Sequence, residues 1–360
     1  MSGLDPLERW GYQVGYTPSP ELSAARLRMA QQALNKLETY LRRPNKKTDL
    51  YAVGAVDDVT PELLPPADVA RAERLYRQLY ETGGNGSTYS QDSILSLIAS
   101  SRYPASIPFW LELLNLSRPR DSFTARRRRW ALAALAYLSI SANYEAEIAL
   151  AQAAEHANPD VRALAVYYWG RVYTDSDRKL SRATAKAFRS IAVKDTAFGP
   201  RFQARQLLRQ RELAVPNDQP GGVYAFQVYF RRAKSVFSRT VELQAEQTLD
   251  DLHRAIQRAL EWDSDHLYSF FLNNDERDDE LYRFSCPYEE DRPPWTDEAV
   301  LGELGLVRKH KFLYLFDYGD SHLFEIDVVD IQDRALSKVQ YPRVTDGKGE
   351  APLQYPRYDE

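Results

Sequence analysis

The sequence predicts a multidomain chain in which a long all-helical region is followed by a small α+β domain, and three observations carry that expectation. At 360 residues the chain is too long for one ordinary core, so two domains are the natural division. Apolar residues recur at three- and four-residue spacing over roughly the first two hundred positions and at two-residue spacing afterwards, the periods of helix and strand. Between these regions, residues 212–221 collect two prolines and a glycine and read as a linker.

Composition narrows the class. Apolar residues at 44% and charged residues at 27% are globular values that fit neither wholesale disorder nor a membrane protein. No run approaches 18 uncharged apolar residues, and the N-terminus lacks a basic stretch leading into an apolar core, so cytoplasmic residence without a membrane partner is expected. The single cysteine, Cys286, excludes an intrachain disulfide and a cysteine zinc cluster. The net charge of −4 conceals a division: residues 1–218 hold 30 Lys/Arg against 23 Asp/Glu, and residues 219–360 hold 17 against 28. Such halves could attract a polyanion or each other.

Residues 1–20, rich in Gly, Pro and Tyr, have no period and read as an extended arm. Leu27, Ala30, Ala33, Leu34, Leu37 and Leu41 predict a helix over 23–43. Val69, Leu75 and Leu79 predict another over 67–81, with Pro66 ahead of it and glycines behind. Gly83-Gly-Asn-Gly-Ser87 lacks the spacing and the Lys-Ser/Thr of a phosphate loop and follows a helix, so it reads as a linker. Residues 1–89 are thus expected as an arm and capping helices.

From 90 to 211 the pattern is helical in pairs: 92–101 with 106–116, 123–139 with 143–156, 159–173 with 178–193, and a last helix at 198–211. Asn158-Pro-Asp opens one helix with a cap, a first-turn proline and an acid against the dipole. An Arg-x-x-Ala unit recurs at Arg128, Arg162 and Arg201, 34 and 39 residues apart. This pattern resembles HEAT repeats, in which an Asp and an Arg sit near that helix start. The resemblance implies an α-solenoid of three or four stacked helix pairs, with an irregular bundle as the plain alternative.

Positive charge clusters within that region. Arg126, Arg127, Arg128 and Arg129 span most of one helical turn and cannot all face one side. Together with Arg162, Arg201, Arg205 and Arg209 they could form an anion-binding ridge for a nucleic-acid backbone if equivalent helix faces align. A solvated face with one arginine paired inside is the simpler account.

After the linker the period becomes two. Tyr224, Phe226, Val228 and Phe230 give a first strand, residues 235–243 a second, and Arg231 to Lys234 their turn. Thr248 caps a helix to Trp262, with Asp251 at the third helical position and Leu249, Leu252, Ile256 and Leu260 as its buried stripe. Residues 266–272 form a third strand, 273–294 an acidic loop with a short strand at 281–285, and 301–306 a small helix or turn. Lys311 to Asp320 and His322 to Asp330 alternate around a Tyr-Gly-Asp-Ser turn and predict a hairpin with Phe312, Tyr314, Phe316 and Tyr318 on one face. Residues 331–360 read as an irregular tail.

Thr248-Leu-Asp-Asp-Leu-His-Arg-Ala-Ile-Gln, Trp262-Asp, His266-Leu-Tyr-Ser-Phe-Phe-Leu, Leu301-Gly-Glu-Leu-Gly-Leu, the hairpin strand from Lys311 and Tyr341-Pro-Arg through Tyr355-Pro occur here in order. Residues 222–360 thereby resemble the plasmid pRiA4b ORF-3-like family, also labelled a transposon passenger, TnpR-like. The resemblance implies a compact α+β sheet reminiscent of the ubiquitin-like β-grasp and assigns no activity. Ser321-His322 and Phe237 depart from the family's usual residues.

His266, Asp317, Asp320 and His322 are the candidates for chemistry, since two histidines and carboxylates near one turn could hold a divalent ion or act as an acid–base pair. Asp320 is also what the turn requires for its backbone, no pair has helical metal-ligand spacing, and no Gly-x-Ser-x-Gly elbow is present. No catalytic residue, metal or cofactor is therefore assigned. The expectation is a non-enzymatic interaction protein that holds a macromolecular, protein partner through its helical repeats, with a nucleic-acid-associated protein as the alternative.

Overall fold

A computed structural model describes residues 19–42, 64–81, 88–118, 121–141, 143–231, 235–276, 279–289 and 293–355. Most of the N-terminal arm, the Gly83 to Ser87 segment and the turn at 232–234 lie outside the described residues. The chain forms two compact units, Met1–Ser181 and Arg182–Glu360.

The first unit contains α1 (Pro20–Arg42), α2 (Pro66–Glu81), α3 (Thr88–Ser100), α4 (Ile107–Asn115), α5 (Thr124–Ile140), α6 (Tyr144–Ala153) and α7 (Pro159–Thr174). Side-chain caps set two starts: Asn143 accepts from the Ala146 amide, and Asn158 from the amides of Asp160 and Val161. Trp130 through Ser139 are all buried, so the second half of α5 is enclosed on every side. Packing is between helices close in sequence. α1 meets α2, α2 meets α3, and from there helices also meet the next but one: α3 with α5, α4 with α6, α5 with α7.

The second unit begins with α8 (Arg182–Lys194) and α9 (Phe198–Gln210), which the period alone had assigned to the helical region. Side-chain contacts explain the difference. Phe202 stacks on Tyr282 at 5.4 Å, and Gln203 Nε2 donates to the Leu281 carbonyl at 2.8 Å. Residues 212–221 are likewise no spacer: the Asp218 amide donates to the Gly302 carbonyl, and a Cβ on Gly302 would meet Asn217 Oδ1 at 2.3 Å. The two compact units thus divide after Ser181, ahead of the linker expected at 212–221.

The sheet comprises β1 (Val223–Phe230), β2 (Ser238–Gln244), β3 (Tyr268–Phe271), β4 (Arg283–Ser285), β5 (Lys311–Phe316), β6 (His322–Gln332) and β7 (Arg343–Lys348). Its order is β4-β3-β5-β6-β1-β2-β7 and every pair is antiparallel. A ubiquitin-like grasp pairs its central strands in parallel, so that part of the expectation is corrected. α10 (Leu249–Leu260) packs on one face through His253 and Gln257, behind a complete capping box between Thr248 and Asp251.

Three further elements differ from the sequence pattern. The presumed irregular tail contains β7, whose residues after Arg343 are all exposed and so carry no alternation. Residues 281–285 divide between the end of the short helix α11 (Asp279–Tyr282) and β4. Tyr318 leaves the face it was expected to share: Asp317 sits at φ +55°, and the Tyr318 hydroxyl meets Ser269 Oγ at 2.7 Å, on the side of Leu315.

Candidate functional site

The β5–β6 turn gathers the four residues marked for chemistry. Phe316 pairs with His322, and between them Asp317 and Ser321 adopt positive φ. Asp317 Oδ1 accepts from the Gly319 and Asp320 amides at 2.9 and 3.3 Å, so Asp317 holds the turn's backbone in the role expected of Asp320. His322, 5% exposed, lies against Trp262 with ring centroids 4.8 Å apart. One ligand atom from each of Asp317, Asp320 and His322 falls within 4.8 Å of the others. His266 joins from two residues ahead of β3, its Nε2 3.5 Å from Asp317 Oδ2. Two carboxylates and an imidazole make a nitrogen–oxygen donor set of the kind that suits a divalent transition ion.

The C-terminal segment reaches this corner, which the sequence pattern had not indicated. Trp262 Nε1 donates to the Pro352 carbonyl, the Gln354 side chain bonds both the amide and the carbonyl of Asp263, and the Tyr355 hydroxyl lies 2.8 Å from His266 Nε2.

Between α10 and the sheet lies a buried polar network. Gln257 Nε2 donates to the Tyr314 oxygen at 2.7 Å, which leaves the phenol proton for His253 Nδ1, also at 2.7 Å. That arrangement needs a neutral imidazole, and burial, followed by the nearby Arg254 charge, lowers the His253 pKa to about 3. His253 stacks flat on Tyr268 at 3.6 Å, and the Tyr268 hydroxyl reaches Asp250 and Thr296. Burial drives both phenols far above their ordinary range, Asp250 adding to the shift at Tyr268.

Most of the arginines expected to form one ridge bond within the fold instead. Arg126 pairs with Asp92 at 2.6 Å, and Arg129 is half-buried. Arg127 is 1% exposed and donates to Tyr76, Asp121 and the Leu116 carbonyl. Arg205, equally buried, bonds the Ala192 carbonyl and Asp218, and Arg209 bonds Gln206 and Glu303. The three recurring arginines share one job: Arg128 donates to the Leu114 carbonyl, Arg162 to His156 and Ala157, and Arg201 to Asp195. The Leu114 carbonyl is in the last turn of α4, where acceptors otherwise go without intrahelical donors, and the others lie in the loops just ahead of α7 and α9.

No curated protein matches the chain. Among solved structures, a protein of unknown function from Methanosarcina mazei Go1 is similar at 25% identity over 37% of this chain and 73% of its own, with a TM-score of 0.32. No described helix is long and apolar enough to cross a membrane. The match to a family falls on the sheet, α10 and the turn that carries the site: residues 222–354 are similar to the family described as Plasmid pRiA4b ORF-3-like protein.

Proposed function

We propose that this chain is a non-enzymatic interaction protein whose N-terminal helices stack as HEAT-like repeats and hold a macromolecular partner. The regular interval of side-chain bonds along the first unit carries the reading, and Arg128 and Arg162 there each reach back to a preceding backbone carbonyl. Side-chain bonds between helices or the loops that follow them recur at an interval of 34 to 39 residues: Gln31 to Asp68, Arg77 to Glu112, Arg126 to Asp92, Arg102 to Ser141 and Arg178 to Ser139. Contacts limited to neighbours at a fixed interval are what stacked repeats require. The nucleic-acid alternative is the weaker reading, since most of the arginines it relied on bond within the fold.

Tyr144 and Ile148, 70% and 57% exposed and one turn apart on α6, give the partner an apolar contact. The full chain and its Tyr144→Arg/Ile148→Glu variant, immobilised in parallel, should differ in what they retain from native extract. A protein held by the first and lost by the second supports the reading. Identical capture by both, or a salt-sensitive affinity for DNA or RNA as the sole binding, would sink it.

A further inference from the structure

One helix carries a basic stripe that faces outward. On α8, Thr184, Ala185, Phe188 and Ala192 form the buried side, and Arg182, Lys186, Arg189 and Val193 are exposed. At helical spacing these four fall within an arc of about 60° and along about 16 Å, so they form a single straight row. Residues 182–211 hold eight Lys/Arg and one acid, Asp195. Arg201, Arg205 and Arg209 are used inside the unit, whereas the side chains of Arg182, Lys186 and Arg189 make no hydrogen bond or ion pair among the described residues.

We propose that this row is a docking surface for a short acidic peptide segment that offers carboxylates at helical spacing and an apolar side chain to Val193. Three observations select that partner. The cations are collinear and uncommitted, and Val193, 57% exposed, continues their line, where an apolar side chain gains more from a peptide than from phosphates. Residues 219–360 of the same unit carry 17 Lys/Arg against 28 Asp/Glu. That acidic excess in the same unit disfavours a long polyanion more than a segment no longer than the row. The proposal rests on the chain's being an interaction protein, but it uses a different unit from Tyr144 and Ile148.

The test uses the full chain and a fluorescent helical peptide with Glu at the first, fifth and eighth positions and Leu at the twelfth, beside a short DNA duplex, read by anisotropy. The peptide should bind, more weakly as salt rises, and R182E/K186E/R189E should reduce its affinity about tenfold or more. Val193→Asp should reduce it by a smaller factor, and Tyr144→Arg/Ile148→Glu should leave it unchanged. These are exposed positions, and unchanged thermal melts confirm folding. No peptide binding, or equal binding by the triple variant, overturns the proposal while leaving the reading of the first unit intact. Tighter binding of the duplex, abolished by the same reversal, also overturns it and gives the row to nucleic acid.

Discussion

Both units bury a guanidinium, Arg127 in the first and Arg205 in the second, but among the described residues only the second also buries an imidazole that must stay neutral. In the first, Arg127 brings a permanent charge and distributes it over Tyr76, Asp121 and a carbonyl. In the second, the neutral ring of His253 joins Tyr314 and Gln257 under the sheet. A guanidinium works at any ordinary pH; an imidazole that must stay neutral does not. The first unit is also tied by contacts between helices close in sequence, whereas the second depends on strands brought together from distant positions, such as β1 with β6. Stability in the two units should therefore answer to different perturbations.

Acid gives the largest separation. His253 titrates at about 3 when folded against an ordinary 6.5, so protonation favours the unfolded state. Its contribution is complete above pH about 6.5 and is lost as pH falls toward about 3, amounting to roughly 4–5 kcal/mol over the window. Hydrogen exchange at falling pH should expose α10 and β5 before α5, and His253→Gln should flatten that dependence. Simultaneous loss of both units would erase the contrast.

Arg127→Met tests the other side of the comparison. It strips Tyr76 and Asp121 of a buried donor and should cost about 3–5 kcal/mol in denaturant melts of the first unit, with little pH dependence between 5 and 8. Tyr314→Phe should cost about 1–3 kcal/mol in the second unit, because Gln257 and His253 then lose their shared partner. Smallest are the caps: Asn158→Ala and Thr248→Ala should each cost about 1 kcal/mol in their own unit, and equal effects would show that local capping is indifferent to the surrounding architecture.

Much of this was legible beforehand where a signal is local. Asn158 and Thr248 announced their helices, and the β5–β6 ribbon followed from alternation around one turn. Convergence of Asp317, Asp320 and His322 was legible for the same reason, since six consecutive residues in a tight turn have little choice. β7 was hidden because it is solvent-exposed after Arg343 and has no apolar side chain besides Val344. Tyr318 was misplaced because alternation assumes extended backbone, and a single left-handed residue at Asp317 reverses the parity. Tyr355 and Gln354 join the corner through contacts some ninety residues apart in sequence, beyond the reach of any local pattern.

The sequence by itself determined the order of helices and strands, their caps and the hairpin, because those depend on side chains within a few positions of one another. Only the tertiary structure decided that α8 and α9 join the sheet, that Arg127 and Arg205 turn inward, and that Arg182, Lys186 and Arg189 do not. A guanidinium becomes interior when another element presents carbonyls or a carboxylate to it, and no period in the chain encodes where that element will be.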